Sequence, residues 1–446
     1  MKRHLLFLML FLCLYCLCFS QTDSVKIKKA DEIKTGWNFG ALPMIAYNSD
    51  LGLQYGALFS PFYYGDGSQY PKYLHKMYAE ISRFTKGSGV YRFYYNSEYV
   101  IPNVNLIADA SYLTDDAYDF YGFNGNQTKY NASWIDKESD DYVSTLFYDT
   151  QRKQIKAKAE FQGKTKLENF SWAAGILFRS TKFSQPDFDN INEGKDPEDI
   201  LASDSTLFDK YVEWDLIPQA DKDGGIVTSI KLGLVYDTRD FKANPYKGAW
   251  TEASVVISPS FLGTTKTFVR LNITHRQYFT IFPDKVNLAC RLVCQSNIFG
   301  DTPFYIMPEI ETSVMSSSKN EGLGGEANLR GATRNRVVGK TVAFGNFELR
   351  WKIVKFIVAK QNIYIGTNVF FDTGAILAPL DMDLSKVPES SKDLYFTDEA
   401  YGFHSTYGIG LKLAMNENFI LSLDRGYAAS KHDGDKGTYI RMDYLF

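Results

Sequence analysis

Three charged side chains in the last third of the sequence have the chemistry needed for a buried ion-pair group. Glu348 and Asp372 lie in two consecutive segments in which apolar and polar residues alternate. Both carboxylates are therefore predicted to point to the inner side of neighbouring strands. Arg330 precedes the first of these strands, and its planar guanidinium can bridge two carboxylates. We predict an arginine lock, a contact of Arg330 with Glu348 and Asp372. The alternative is a solvent-exposed loop arginine with no fixed partner.

Catalytic and metal-binding patterns are weak elsewhere in the sequence. No G-x-S-x-G motif occurs, and the histidines after the first twenty residues are scattered without metal-ligand spacing: His75, His275, His404 and His432. Asp187, Asp189 and Glu198 fit three positions of a calcium loop, but Asn192 replaces its turn glycine. A solvated acidic surface is the simpler interpretation of these carboxylates. We predict no enzymatic activity, no metal and no cofactor.

Composition excludes several other classes of protein. The chain has 446 residues, 45% of them hydrophobic and 23% charged, with a formal net charge of −3. This balance is too apolar for a disordered chain and lacks the basic excess of a nucleic-acid-binding protein. Five cysteines in a chain of this length do not suggest a disulfide scaffold. We therefore expect a folded protein with no nucleic-acid partner.

The amino terminus indicates export from the cytoplasm. Lys2 and Arg3 precede an uncharged apolar run, and small residues follow it, so residues 1–20 are predicted to be a signal peptide. No later run is long and apolar enough to predict a membrane-spanning helix. An exported protein of this kind is either soluble or an outer-membrane barrel. We predict a short periplasmic segment at 21–35 and a single barrel domain at 36–446.

The strand pattern favours the barrel. In Ala343–Ile353 one face is apolar, while the other carries Asn346, Glu348, Arg350 and Lys352. The last predicted strand places Ile440, Met442, Tyr444 and Phe446 on one face and Arg441 and Asp443 on the other. A soluble sandwich gives similar alternation. Long strands with aromatic residues clustered at their ends are more typical of an outer-membrane barrel.

The strand count and loop lengths agree with a closed barrel. We predict an all-β, transmembrane antiparallel barrel with strands near 38–47, 50–62, 73–84, 89–100, 103–113, 152–163, 168–180, 226–238, 248–259, 266–280, 285–297, 342–353, 362–373, 404–415, 419–427 and 438–446. That makes about sixteen, an even number, which puts both ends of the barrel domain in the periplasm. The long connections all follow odd-numbered strands and are predicted to be extracellular: 114–151, 181–225, 298–341 and 374–403.

Several short motifs resemble those of the bacterial surface antigen barrels, the superfamily of BamA and TamA. The sixth outward loop contains Leu329-Arg330-Gly331, like the family's loop tip. The other matching positions are Phe370, Asp372 and Gly374 of a Phe-x-Asp-x-Gly motif, the inward Glu348, and Tyr444 and Phe446 of the aromatic last strand. The resemblance implies that loop 298–341 folds into the lumen with Arg330 and Gly331 at its tip. It also implies that Tyr444 and Phe446 form an insertion signal.

Two departures limit what the resemblance implies about function. Ala332 stands where the family has an aromatic residue, and no periplasmic POTRA module precedes the predicted barrel. We expect an outer-membrane protein of a Gram-negative bacterium, in contact with outer-membrane lipid, that inserts or translocates proteins. A periplasmic or membrane partner is expected to supply the missing POTRA function. The alternative is a passive channel or a structural subunit of an envelope complex.

The two strands that close the barrel are predicted to pair weakly. Gly40 weakens the first strand, and Pro43 lacks the N–H that a strand ladder needs. Gly434 and Gly437 lie at the start of the last strand. The sequence therefore predicts fewer hydrogen bonds at this seam than between other neighbouring strands.

Overall fold

The computed structural model describes most of the predicted barrel domain. It covers residues 35–446 except 70–72, 195, 197–199, 201–205, 241–243, 312–320, 359–360, 400, 416–418 and 443. The predicted signal peptide and nearly all of the segment 21–35 lie outside the described residues. Within the described part of the chain, no helix is both long and apolar enough to cross a membrane.

Sixteen antiparallel strands form one closed barrel, as predicted. The strands are β1 (Trp37–Asn48), β2 (Gly52–Tyr63), β3 (His75–Phe84), β4 (Gly89–Ile101), β5 (Val104–Asp119), β6 (Asp149–Lys164), β7 (Phe170–Ser184), β8 (Gly224–Asp237), β9 (Gly248–Ser258), β10 (Phe268–Phe282), β11 (Val286–Phe299), β12 (Thr341–Val358), β13 (Gln361–Ala378), β14 (Phe403–Met415), β15 (Phe419–Ala428) and β16 (Lys436–Met442). Three short helices lie in the connections: α1 (Phe188–Asn192), α2 (Leu207–Glu213) and α3 (Glu389–Tyr395). Each strand is paired with its neighbours in sequence, and β16 returns to β1.

The barrel carries its apolar side chains outside and its charged side chains inside. On β12, Trp351 and Ile353 are 50% and 51% exposed, whereas Glu348 and Arg350 are 0% and 2% exposed. A soluble sandwich would bury the apolar face instead. The arrangement matches a barrel surrounded by lipid, and it confirms the predicted fold class.

Several strands are longer than the sequence predicted, and β5 and β6 change the length of an outward loop. β5 continues to Asp119 and β6 begins at Asp149, so the third outward loop covers only 120–148. The acidic run at the end of β5 was predicted to lie in the loop 114–151. Asp115 instead faces the lumen, where it accepts hydrogen bonds from Arg152 at 2.7 and 3.2 Å. The inward-facing ion pair of Asp115 and Arg152 therefore lies in a part of the β5–β6 pairing that continues beyond the alternating apolar residues.

The outward loops close the barrel at the end opposite to the start of β1. Aromatic side chains from several loops pack into one buried cluster that includes Phe120, Phe147, Phe208, Tyr211 and Phe396. Tyr211, on α2, is 0% exposed and lies edge-on to Phe120, with their ring centroids 5.1 Å apart. This cluster buries large aromatic area above the lumen, so the loops form a packed cap.

The last predicted strand is shorter than expected, and the face assigned to two of its residues is wrong. β16 ends at Met442, whereas the alternating pattern predicted a strand to Phe446 with Tyr444 and Phe446 toward lipid. Both side chains are buried, at 6% and 9% exposed. The guanidinium of Arg350 lies 4.0 Å from the ring centroid of Tyr444 and donates to the backbone oxygen of Phe446 at 3.1 Å. These contacts with a cation draw the segment off the wall and into the lumen.

Residues 444–446 lie at the end of the barrel opposite to the outward loops, here called the terminal end. The connection between β8 and β9 narrows the opening at this end. Asn244 in this connection is buried and lies 3.3 Å from the hydroxyl of Tyr364 on the far wall. The backbone oxygen of Pro245 accepts a hydrogen bond from Asn287 at 3.2 Å. Residues 244–246 therefore lie across the terminal mouth, beside the segment 444–446.

Candidate functional site

The structure brings Arg330 together with both predicted carboxylates. Arg330 belongs to the connection between β11 and β12, residues 300–340, here called the lumen loop. Its Nε and Nη2 donate to the two carboxylate oxygens of Asp372 at 2.8 and 2.9 Å, and its Nη1 donates to Glu348 at 2.6 Å. All three side chains are 0% exposed. The ring of Phe370 lies under the guanidinium, 3.5 Å from its central carbon.

Burial and charge act in opposite directions on the arginine. Loss of water disfavours the charged form, but the carboxylates of Asp372 and Glu348 outweigh this and raise the pKa of Arg330 above its usual range. The guanidinium therefore stays charged at any pH at which the barrel folds. Removing it would strand buried carboxylates without their cation.

A third carboxylate, which was not predicted, belongs to this group. Asp424, on β15, lies 3.3 Å from Nη1 of Arg330 and is 0% exposed. It also accepts from Lys412 at 2.6 Å and contacts Arg441. Alternation along β15 could have shown only that Asp424 faces inward. Which inward side chains meet across a lumen depends on the path of the loop, and strand parity carries no information about that path.

Two glycines let the tip of the lumen loop contact the barrel wall. Gly331 has φ +110, and a Cβ there would lie 2.5 Å from the backbone nitrogen of Tyr427. A Cβ at Gly426 on β15 would lie 2.1 Å from the carbonyl oxygen of Arg330. The backbone N–H of Gly331 donates to the hydroxyl of Tyr439 at 3.1 Å. The loop tip therefore rests on β15 and β16, and β16 is one of the two strands that form the seam of the barrel.

A methyl group at position 426 should loosen the loop tip without removing any charge. We expect Gly426→Ala to destabilise the seated loop by about 1–3 kcal/mol, because its Cβ overlaps the Arg330 carbonyl. Limited proteolysis of the folded barrel should then cut the lumen loop faster. Gly40→Ala is the matched control, since its Cβ would meet only the Ser60 carbonyl at 3.5 Å. Equal cleavage of the two variants would contradict the prediction.

Gly374, which was identified only through the family resemblance, contacts a different part of the loop. A Cβ at this position would lie 2.8 Å from Cδ1 of Leu323. Leu323 packs with Leu329, Ala332 and Phe344 in a buried cluster beneath the loop tip. Ala332, which replaces the aromatic residue expected there, is thus part of the loop's apolar support.

Two further ion-pair groups that were not predicted hold the lumen loop. Arg179 on β7 donates to Glu309 at 3.0 Å and also contacts Glu311, and all three side chains are buried. Arg334 donates to Asp119 at 2.6 Å. Alternation along β7 could have shown that Arg179 faces the lumen, but alternation carries no information about which loop carboxylates Arg179 meets. The loop is therefore fixed at both legs as well as at its tip.

Glu348 links the arginine lock to residues 444–446. One of its oxygens accepts from Arg330 and the other accepts from Nε of Arg350 at 2.8 Å. Arg350 in turn contacts the Tyr444 ring and the Phe446 backbone oxygen. The lumen loop and the segment 444–446 thus share one carboxylate. The predicted role of Tyr444 and Phe446 as an insertion signal stays a prediction.

Asp50 should make the packing of the lumen loop against the turn between β1 and β2 dependent on pH. It lies in the turn between β1 and β2, its Oδ2 is buried without a hydrogen-bond partner in the described part of the chain, and a Cβ at Gly325 would lie 3.3 Å from that atom. Burial and the neighbouring carboxylates of Asp119 and Glu326 raise its pKa to about 7, against the opposing charges of Arg334 and Lys86.

The sign of the effect follows from proton binding. The unfolded aspartate titrates near ~4, so the folded state binds more protons between about pH 4 and 7, and stability falls as the pH rises through this window. We expect Asp50→Asn to be more stable than the wild type at about pH 8, by on the order of 1 kcal/mol, and similar to it at about pH 5. Proteolysis of the lumen loop at both pH values measures this. The same pH dependence in both proteins would contradict it.

Comparison with known proteins points to one family. Residues 80–443 match the model of the Omp85 superfamily domain. BamA from Haemophilus ducreyi, in a structure lacking POTRA domains 1–3, is similar with a TM-score of 0.53 and 15% identity, over 92% of this chain and 70% of that chain. CdiB from Escherichia coli gives a TM-score of 0.55 and 11% identity, over 92% of this chain and 63% of that chain. No curated protein sequence matches. At these identities the structural likeness establishes the fold alone.

Proposed function

We propose that this chain, which belongs to the Omp85 superfamily, inserts or translocates other proteins at the seam between β1 and β16. The family match confirms the resemblance found in the motifs and places the barrel in the outer membrane of a Gram-negative bacterium. Members of this family are assembly and transport barrels. That the chain has no enzymatic activity remains a prediction.

The seam is the observation that carries the proposal. β1 and β16 are paired only at Tyr47–Ile440 and Asn48–Tyr439, whereas β1 is paired with β2 along its whole length. Three further hydrogen bonds join Ser49 to Thr438. The amide and the hydroxyl of Ser49 each donate to the Thr438 carbonyl at 3.2 Å, and the Thr438 amide donates to the Ser49 hydroxyl at 2.7 Å. Within the described residues, the remainder of β1 has no partner on this side. This supports the weak seam predicted from the sequence.

An unpaired strand edge has a specific chemical capacity. Its free N–H and C=O groups can pair with an incoming strand, as in other cases of strand addition. Pro43 interrupts the row of donors, which discourages permanent pairing. The exposed side chains next to the edge include Trp37, Phe39 and Ile45, which would face lipid. A client strand could therefore pair with the edge of β1 while its apolar face enters the bilayer.

The lumen is less suited to a passive channel. The lumen loop, the aromatic cap, the β8–β9 connection and residues 444–446 occupy it from both ends. A charged cavity remains inside, lined by Lys158, Glu160, Arg179, Lys231 and Glu311 among others, and it supports the channel as the second candidate. We also propose that a separate periplasmic or membrane partner delivers clients to the barrel.

Reconstitution separates the two functions. Purified protein in liposomes should accelerate the insertion of an unfolded outer-membrane barrel, followed by its heat-modifiable gel mobility, by at least about tenfold over empty liposomes. Planar-bilayer recording of the same preparation should give little steady conductance. A wide, stable conductance with no acceleration of insertion would favour the channel and contradict our proposal.

A further inference from the structure

Two arginines face each other on the inner wall near the terminal end of the barrel. Arg276 on β10 is directly opposite Arg291 on β11 in the strand register. Their exposed fractions are 7% and 8%. Like charges opposite each other on adjacent strands repel, and burial weakens the screening by water. Such a pair costs stability unless something else compensates it.

The contacts of both guanidiniums are with neutral groups. Arg291 donates to the side-chain oxygen of Asn346 at 2.9 Å and to the carbonyl of Ala327 at 2.7 Å. Arg276 lies 4.8 Å from the ring centroid of Trp250, and its buried Nε makes no hydrogen bond. In the described part of the chain, no carboxylate forms a salt bridge with either residue. The two guanidiniums therefore lack a salt-bridge partner among the described residues, although the carboxylates of Glu252, Asp372 and Glu348 act on them from a longer distance.

A third arginine and an aromatic ring complete the surroundings of this pair. Arg350 forms an ion pair with Glu348 through Nε, but its buried Nη1 makes no hydrogen bond. The ring of Phe446 lies 5.1 Å from the guanidinium of Arg291 and 5.0 Å from that of Arg350. Phe446 therefore lies over Arg291 and Arg350, and two donors of the group, Nε of Arg276 and Nη1 of Arg350, lack an acceptor.

We propose that Arg276, Arg291 and Arg350 bind a phosphate group. A guanidinium fork matches the oxygens of phosphate, and a phosphate would supply the salt-bridge partner that Arg276 and Arg291 lack. The phosphate belongs either to a soluble phosphate compound or to a lipid headgroup that reaches the terminal mouth. Residues 444–446 cover the site and move aside when it fills. This site is separate from the arginine lock and does not depend on the proposed insertion activity.

Titration calorimetry on the full chain in phosphate-free detergent tests the site. The probes are inorganic phosphate and a water-soluble, short-chain phosphatidic acid. We expect saturable one-to-one binding that weakens with salt, and a loss of at least about tenfold in affinity for both Arg276→Gln and Arg291→Gln. Arg270→Gln is the matched control, because Arg270 lies on the same face of β10 and donates only to the carbonyls of Ile306 and Met307. Its affinity should stay unchanged.

Stability provides a second readout that a purely structural role for Arg276 would not produce. Without phosphate, Arg276→Gln should be at least as stable as the wild type, because it removes one of two like charges that face each other on adjacent strands. Phosphate should stabilise the wild type and leave Arg276→Gln unaffected. Phe446→Ala should bind either probe more tightly than the wild type does, because the cover is reduced.

The outcomes decide both the site and its ligand. Binding of both probes supports recognition of the phosphate group itself, and binding of phosphatidic acid alone identifies a lipid headgroup as the source. Failure of both probes to bind the wild type and Phe446→Ala would overturn the proposal. Equal affinity in Arg276→Gln and the wild type would overturn it as well.

Discussion

Replacing Arg330 with alanine should release the lumen loop while the barrel still forms. The substitution leaves Asp372 without a salt-bridge partner, because Arg330 is the cation that pairs with Asp372 in the described structure. The other side chain that donates to Asp372 is the neutral amide of Asn346. Glu348 and Asp424 keep Arg350 and Lys412, so Asp372 bears most of the loss. Leaving a buried charge unpaired costs on the order of 3 kcal/mol. Limited proteolysis should then cut the lumen loop rapidly, while heat-modifiable gel mobility shows an intact barrel.

Two companion variants identify the cause. Arg330→Lys should rescue protease resistance only in part, because an ammonium group cannot bridge both oxygens of Asp372 and also contact Glu348. Adding Asp372→Asn to Arg330→Ala should recover part of the lost stability, since the unpaired charge is then gone. Wild-type protease resistance in Arg330→Ala would contradict the role assigned to the lock.

Asp372 was predicted to contact Arg330 and Asp424 was not, and this difference shows how much of the site the sequence could predict. Alternation along β12 and β13 predicted that Glu348 and Asp372 point inward. In the strand register the residue opposite Asp372 is Asn346, so Glu348 is offset from Asp372 by two residues. Asp424 is inward by the same rule, yet it joins the group only because the loop tip rests on β15. That contact spans 94 residues of sequence, and it requires the close approach that Gly426 permits.

The segment after β16 was mispredicted for a different physical reason. The alternation of apolar and charged residues continues through residue 446, so pattern alone extends the strand. In the barrel, the cations of Arg350 and Arg291 lie within reach of the rings of Tyr444 and Phe446. Attraction between cation and ring, together with the hydrogen bond to the Phe446 backbone oxygen, competes with lipid exposure and prevails. Such competition depends on side chains of other strands, which local periodicity does not describe.

Locking the seam should abolish insertion activity if the edge of β1 is where clients enter. Tyr47 and Ile440 are directly opposite each other in the short paired part of the seam. Opposite residues on antiparallel strands are close enough for a disulfide. We expect Tyr47→Cys with Ile440→Cys, in a chain whose Cys290 and Cys294 are replaced by alanine, to lose at least about tenfold in insertion rate when oxidised. A reductant should restore the rate.

The matched control places the same cysteine in a strand pair that is already continuous. Tyr47 is also opposite Leu53 on β2, within a ladder that runs the whole length of β1. Tyr47→Cys with Leu53→Cys should therefore form its disulfide and keep its insertion rate, because that pair does not have to separate. Equal rates for the oxidised and reduced seam variant would mean that the edge of β1 stays closed during insertion. An equal loss of insertion rate in both disulfide variants would point to a general effect of rigid cross-links. It would contradict the proposal that clients enter at the seam between β1 and β16.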